Sequence, residues 1–380
     1  MKIKSLIHLT ALAAALLPSA LLADRDDRDD RDNRPARGTV YTMSNAAAGN
    51  SVLVFQRAAD GTLTAADTVP TGGSGTGTGL GNQASLVLSS EGRWLFACNA
   101  GSDEISVFAV TPRGLVRTAK VASGGHRPVS LTIHRSLLYV LNAGGAVGGK
   151  DNIAAFVFVG GRLYPVADST RALSADNTGP AQVGFTRDGG VLVVTEKATG
   201  VIDTYTVGDD GLASDRQMFA SPVPTPFGFT VGREGRLFVS EANGGAADAS
   251  SVSSYSVSDD GDLTAITSGA STHETAACWV VLTRNERLAY VTNTGSGTIS
   301  GYRVSRSGAL SLLNADGITA TTGAGSSPID LALTRGSRYL YSLNSGDHSI
   351  TGFRVNDDGS LTAVPRVTGL PAGANGLAAE

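Results

Sequence analysis

The sequence predicts an all-β fold, a seven-bladed β-propeller of four-stranded antiparallel blades, and three observations lead there. The first is a repeat: seven times, an aromatic residue near the end of a strand is followed closely by a Gly turn and a Leu. The aromatics are Phe55, Phe108, Phe156, Tyr205, Tyr255, Tyr302 and Phe353, and they stand 53, 48, 49, 50, 47 and 51 residues apart. That period belongs to propeller blades rather than to helical solenoid units. The second is that each period holds four short β-branched and aromatic runs punctuated by Gly, Asp and Asn, the pattern of a meander. In the second period these runs are Ser85–Ser89, Trp94–Cys98, Ile105–Val110 and Leu115–Val121. The third is that no stretch of the body sustains a 3.6-residue apolar period over helix length. A single four-stranded sheet cannot cover both its faces, whereas seven stacked radially cover them all and leave only short edges.

In chain order, Met1–Ala23 carries Lys2 and Lys4 and then an apolar run from Leu6 to Leu22. It reads as a cleavable secretory signal. The run is interrupted by His8, Thr10, Pro18 and Ser19 and gives way to charge where a membrane span would need more apolar length. The mature protein is therefore expected in the periplasm or secreted, with no membrane span after signal cleavage. Residues 24–37 interleave six Asp with five Arg and lack an apolar residue before Pro35, which makes them a solvated linker. Residues 38–380 form the propeller. Its first period opens on Gly38-Thr39-Val40-Tyr41, which matches the second strand of the other copies. The missing innermost strand is supplied by the C-terminal tail around Ala374–Ala379, which closes the ring.

With the two leader lysines, five linker arginines and six linker aspartates set aside, the body holds 23 basic and 28 acidic residues. A balance of −5 excludes a general nucleic-acid footprint, and a monomer is expected. The two cysteines, Cys98 and Cys278, fall in different repeats and read as buried strand thiols rather than a disulfide.

Chemistry is sought on one face. In an antiparallel blade counted outward from the axis, the first-to-second and third-to-fourth turns share one face. The second-to-third loops and the blade crossovers share the other. Arg93, Arg187, Arg233, Arg284 and Arg335 lie in turns of the first kind and read as solvated turn charges. On the other face the residue ending the second strand is Asn99, Asn142, Asn293 and Asn344 in four copies, a residue type that bonds the backbone of the loop it opens. The fourth and fifth copies place Glu196 and Glu241 there instead. Two carboxylates near one mouth of the channel would raise one pKa toward neutrality, as acid/base work requires. They are the candidate catalytic pair, together with His126, an imidazole that can move a proton at neutral pH. The crossovers add Arg127, which can fix a carboxylate, and Gln182 and His273. With Asn142 and Asn293 these form the candidate substrate-binding set. Trp279 reads as core. No Ser elbow and no Cys or His pair at zinc spacing occurs, and the Asp-Asp-Gly triplets at Asp209, Asp259 and Asp357 fit hairpin turns better than calcium loops. No metal and no cofactor is expected.

The segment Leu288-Ala289-Tyr290-Val291-Thr292-Asn293-Thr294-Gly295-Ser296-Gly297-Thr298-Ile299 resembles the repeat of the seven-bladed lactonase-type propellers. That family includes 6-phosphogluconolactonase, carboxymuconate-cyclising enzymes and many YVTN-repeat proteins. The resemblance covers nearly all of residues 38–380. It implies an active site in which a Glu after the second strand of a middle blade works with His and Arg from nearby crossovers. Glu196 matches that Glu and His126 a crossover His. Where the family tends to show Gly-Pro-Arg-His before the Glu-bearing blade, this chain has Gly179-Pro180-Ala181-Gln182.

Two functions follow. One is a lactonase-like enzyme that opens or forms a small-molecule lactone of a sugar acid or similar ligand. The scarcity of Lys argues against a phosphorylated substrate. The other is a non-catalytic propeller that binds a ligand or protein partner through the extended loops Gly72–Gly81, Ala143–Lys150 and Asn243–Ser251.

Overall fold

A computed structural model describes residues 37–380. The expected leader and all but the last residue of the charged linker lie outside the described residues. Among those described there is no α-helix, only two short 3-10 turns at Gly144–Val147 and Asn243–Gly245. No helix among them is long and apolar enough to cross a membrane.

Seven antiparallel sheets form the blades. Blade 2 runs outward as Leu86–Leu88, Trp94–Asn99, Glu104–Thr111 and Gly114–Ala122. Blade 4 is Pro180–Phe185, Val191–Glu196, Val201–Thr206 and Gln217–Ala220. Blade 5 is Pro226–Val231, Arg236–Glu241, Ser251–Val257 and Leu263–Ser271. Blades 3, 6 and 7 open on Pro128–His134, Ala277–Leu282 and Pro328–Leu333. Innermost strands of successive blades touch all the way round, which makes the ring closed.

Closure occurs as the sequence predicts. Asn375–Ala379 pairs antiparallel with Gly38–Met43, matching Val40 to Ala379 and Tyr41 to Ala378. The Glu380 carbonyl accepts from Arg57 Nη2 at 3.2 Å, and Ser85 Oγ of blade 2 donates to Asn375 Oδ1 at 2.6 Å. The Asp330 carboxyl of blade 7 takes the Leu377 amide, and burial pushes its pKa well up.

The seven repeat aromatics all lie in third strands and none exceeds 5% exposure. Burying each is worth about 1.5–3 kcal/mol, so together they rival the net stability of a whole domain, about 5–15 kcal/mol. Cys98 and Cys278 are free, buried strand thiols. The Asp-Asp-Gly triplets are turns, with Gly211, Gly261 and Gly359 at φ of 78°, 88° and 95°.

The crossovers into blades 3 to 7 each enter through a left-handed residue. Arg127, Gly179, Thr225, Ala276 and Ser327 have φ of 54°, 58°, 64°, 59° and 49°. The carbonyl of each accepts from the residue just past the second strand: Ala143, Lys197, Ala242, Thr294 and Ser345. The chain is thereby aimed at the same spot on the mouth in each of these blades.

Deleting residues 375–380 is expected to lower unfolding stability by more than about 3 kcal/mol, because it opens a strand edge and uncovers buried Leu377 and Ala378. Chemical denaturation of the truncated chain checks this, and an unchanged midpoint would mean that the ring does not depend on its tail.

Candidate functional site

The side chain that ends each second strand is a buried latch. Asn99 Nδ2 donates to Ser106 Oγ at 2.8 Å, Asn293 Nδ2 to Ser300 Oγ at 2.9 Å and Asn344 Nδ2 to Thr351 Oγ1 at 2.9 Å. Each partner stands seven residues further on, in the third strand of the same blade. Asn142 does the same work with Asn152 Oδ1 at 3.0 Å and the Ser123 carbonyl at 3.3 Å.

Glu196 and Glu241 occupy this latch position and do not project into the mouth as the sequence suggests. Both are wholly buried. Glu196 accepts from the Ser174 amide at 2.9 Å, from the Ser174 hydroxyl and from Thr199 Oγ1 at 2.5 Å. Glu241 accepts from Ser253 Oγ at 2.6 Å, Ser221 Oγ at 3.2 Å and Ser251 Oγ. The two do not tune each other. Burial raises the Glu241 pKa, and the groups that offset it are the Ser251, Ser253 and Ser221 hydroxyls. The carboxyl that does face Glu196 is Asp203, seven residues on, where other blades carry Ser or Thr. Burial first and the Glu196 carboxylate next push Asp203 up to about 9, so it is neutral at pH 7. Both its oxygens and the neighbouring Tyr205 hydroxyl lack a hydrogen bond of good geometry, and Arg216 Nε stands 3.9 Å from Oδ1.

Gln182 and Asn293 are also structural in placement. Gln182 Oε1 accepts the Phe229 amide at 2.6 Å and ties blade 4 to blade 5. His273 is exposed at a left-handed turn, its Nδ1 3.4 Å from Ser271 Oγ.

His126 and Arg127 are at the rim, and a residue the sequence reading overlooked joins them. Asp103, in the second-to-third loop of blade 2, places Oδ2 2.7 Å from His126 Nδ1 and accepts the Arg127 amide on Oδ1 at 2.7 Å. An Asp that accepts at Nδ1 holds the proton there, and Nε2 is left to accept from a water or substrate hydroxyl. The imidazole side chain is 63% exposed, so Nε2 is reachable. Asp103 is held at φ 59°, where blades 4 and 6 use Gly200 and Gly297. That non-Gly residue in a Gly position was the sequence signal that could have found it.

The channel itself is plugged. Residues 80–84, from the crossover between blades 1 and 2, pass over the axis. Trp279 Nε1 donates to the Asn82 carbonyl at 2.7 Å, Gln83 Nε2 to the Val280 carbonyl at 3.3 Å and the Gln83 amide to the Ala181 carbonyl at 3.1 Å. Asn82 also donates to the Val129 carbonyl. The loop Gly72–Gly81 is thus partly an internal element, and Asn45 Nδ2 holds its Thr78 carbonyl at 2.7 Å.

The fold is a seven-bladed β-propeller. A model described as "Lactonase, 7-bladed beta-propeller" matches residues 35–147, which run from the start of blade 1 into blade 3. Solved structures extend the likeness to the whole ring. A candidate 6-phosphogluconolactonase from Bacteroides uniformis superposes with a TM-score of 0.69 at 16% identity, covering 89% of this chain and 99% of its own. The periplasmic gluconolactonase PpgL of Pseudomonas aeruginosa does so with a TM-score of 0.68 at 15% identity, covering 90% and 99%. A functionally unknown protein from Desulfotomaculum acetoxidans gives 0.68 at 14% identity, covering 90% and 99%. At such identities the shared property is the fold. No curated protein matches the sequence.

Asp203 gives a pH test of the latch. Its folded pKa of about 9 lies above the ordinary 3.8, so its contribution favours the fold fully below pH 4 and is lost as pH rises toward 9. Asp203→Asn removes that titration. Its stability relative to wild type should rise by at least about 1 kcal/mol between pH 5 and 9. Parallel wild-type and variant curves of unfolding free energy against pH would contradict a neutral Asp203.

Proposed function

We propose that the protein is an exported lactonase-like hydrolase that opens, or in reverse forms, an unphosphorylated lactone at the crossover-face rim, with His126 as the general base. The observation that carries this is the Asp103 carboxylate, which orients the His126 imidazole with one oxygen and the Arg127 backbone with the other, each at 2.7 Å. The leader read from the sequence, and the periplasmic gluconolactonase among similar folds, support an exported setting.

The steps follow from the geometry. His126 Nε2 takes a proton from a water as its oxygen attacks the lactone carbonyl. The guanidinium of Arg127, next in the chain, faces the oxyanion that develops in this scheme. Collapse of the tetrahedral intermediate breaks the ring C–O bond, and the imidazolium returns its proton to the departing alkoxide. The product is a hydroxy acid whose carboxylate stays beside Arg127. Asp103 keeps the imidazole in the productive tautomer and stabilises the imidazolium. In this scheme Glu196 and Glu241 hold the crossovers of blades 4 and 5 in place through their serine partners.

A panel of unphosphorylated aldono- and muconate-type lactones tests the reading. His126→Asn should lower kcat/KM on the accepted lactone by about 10²–10⁴-fold, and Asp103→Asn by at least about tenfold through kcat rather than KM. Glu196→Gln should lose far less than His126→Asn. Full activity in His126→Asn would remove His126 from the chemistry, and a large loss confined to Glu196→Gln would return the proton transfer to that carboxylate.

A further inference from the structure

Lys197 breaks the repeat. The residue just past the second strand is small in the neighbouring blades, as Ala100, Ala143, Ala242, Thr294 and Ser345 show. In blade 4 it is Lys197, whose side chain turns inward over the mouth. Its Nζ donates to the Pro180 carbonyl at 3.2 Å and to the Gly81 carbonyl of the plug, and it lies 4.7 Å from the centre of the Phe227 ring. Phe227 in turn rests on Trp279 with ring centres 4.9 Å apart. The ammonium is half-buried between two carbonyls and an aromatic face, and no carboxylate pairs with it among the described residues.

Arg127 stands on the adjacent blade at the same level. It fills the left-handed crossover position of blade 3 that Gly179 fills in blade 4, and the Lys197 Cε lies 3.9 Å from where a Gly179 Cβ would be. Burial lowers the Lys197 pKa to about 8, with Arg127 adding to the shift and Cys278 and Asp151 opposing it. A cation withdrawn from water without a counter-charge is costly, and an anion seated against it recovers that cost. A planar carboxylate suits an Arg fork with a Lys point charge beside it.

We propose that Lys197 and Arg127 together form the seat of the ligand's carboxylate, the group created when the lactone opens, with Phe227 and Trp279 as the apolar floor beneath. This rests on the lactonase-like reading for the identity of the ligand. Lys197 is a binding residue and takes no part in proton transfer.

The groups around Lys197 set the pH response. Arg127 on the blade 3 crossover stays charged. Burial pushes the Cys278 thiol on the blade 6 inner strand up to about 12, so it stays neutral through the working range. Asp151, on the third strand of blade 3, is occupied by the Thr178 amide and hydroxyl at 2.7 and 2.9 Å and by the Gly145 amide at 2.8 Å. Over this range the ammonium changes charge, and so does the buried Asp203 on the third strand of the same blade, with a pKa of about 9; Lys197→Arg keeps Asp203 and so separates the two.

Calorimetric titration of the full chain with gluconate and with muconate, at pH 6.5 and 9.5, tests this without turnover. At least one of the two should bind at pH 6.5 and weaken about tenfold or more at pH 9.5. Lys197→Met should weaken binding at pH 6.5 about tenfold or more. Lys197→Arg, charged throughout, should hold it within about threefold at both pH values. Thermal unfolding of the Met variant separates loss of the plug tether from loss of the charge, since the Arg variant restores both carbonyl contacts. Wild-type binding to neither acid, or undiminished binding by Lys197→Met, overturns the proposal. Lys197-dependent binding in a protein that hydrolyses no lactone would leave the seat standing and remove the catalytic reading.

Discussion

The pairing of Gly38–Met43 with Asn375–Ala379 is the constraint on which the rest of the molecule depends. It joins the two ends of the propeller through one strand pair, and only with that pair in place do the innermost strands touch around the whole ring. Closure sets the width of the axial channel, and that width is what lets a short crossover segment reach from blade 2 to Val280 and Trp279 in blade 6. With the channel filled, the rim above the plug is left as the surface on the crossover face where side chains from several blades converge. The position of the candidate site is therefore a consequence of ring geometry before it is a matter of any single residue.

The second organising interaction is the latch at the end of each second strand. Its Asn form is neutral and donates from Nδ2 to a hydroxyl seven residues on. Blade 4 replaces the pair with two carboxyls, and the low polarity of the gap keeps one of them protonated. Blade 5 keeps one carboxylate and surrounds it with three serines. These are alternative solutions to a buried polar position. The proposed rim residues stand near the latch in the chain: Lys197 just after Glu196, and Asp103 four residues after Asn99.

Much of the fold was legible because the repeat is written in residues that pack. The seven third-strand aromatics, the Gly turns after them and the missing first strand each have one physical reading, and the structure shows the same blades, the same closure and the same free thiols. The site was harder to read. A Glu in place of Asn looks like a functional break, and sequence spacing cannot say whether its carboxylate faces the axis or the neighbouring blade. In an antiparallel strand that choice is set by one residue of register. His126 and Arg127 were visible as crossover residues, but Asp103 comes from another blade, and only the folded ring brings it within 2.7 Å of both. The plug was hidden for a similar reason. Gly72–Gly81 reads as a Gly-rich surface loop, and the partners that draw the residues at its end and just beyond it inward stand about 50, 100 and 200 residues away in the chain.

In the proposed reading, function resides on the rim held by Asp103 and not in the carboxylate latches. A crystal structure with a hydroxy-acid product bound tests it most directly. The product carboxylate is expected within hydrogen-bond distance of the Arg127 guanidinium, and a ligand hydroxyl facing His126 Nε2. A ligand lodged instead against Glu196 or Glu241, or on the face of the Arg-bearing turns, would contradict it.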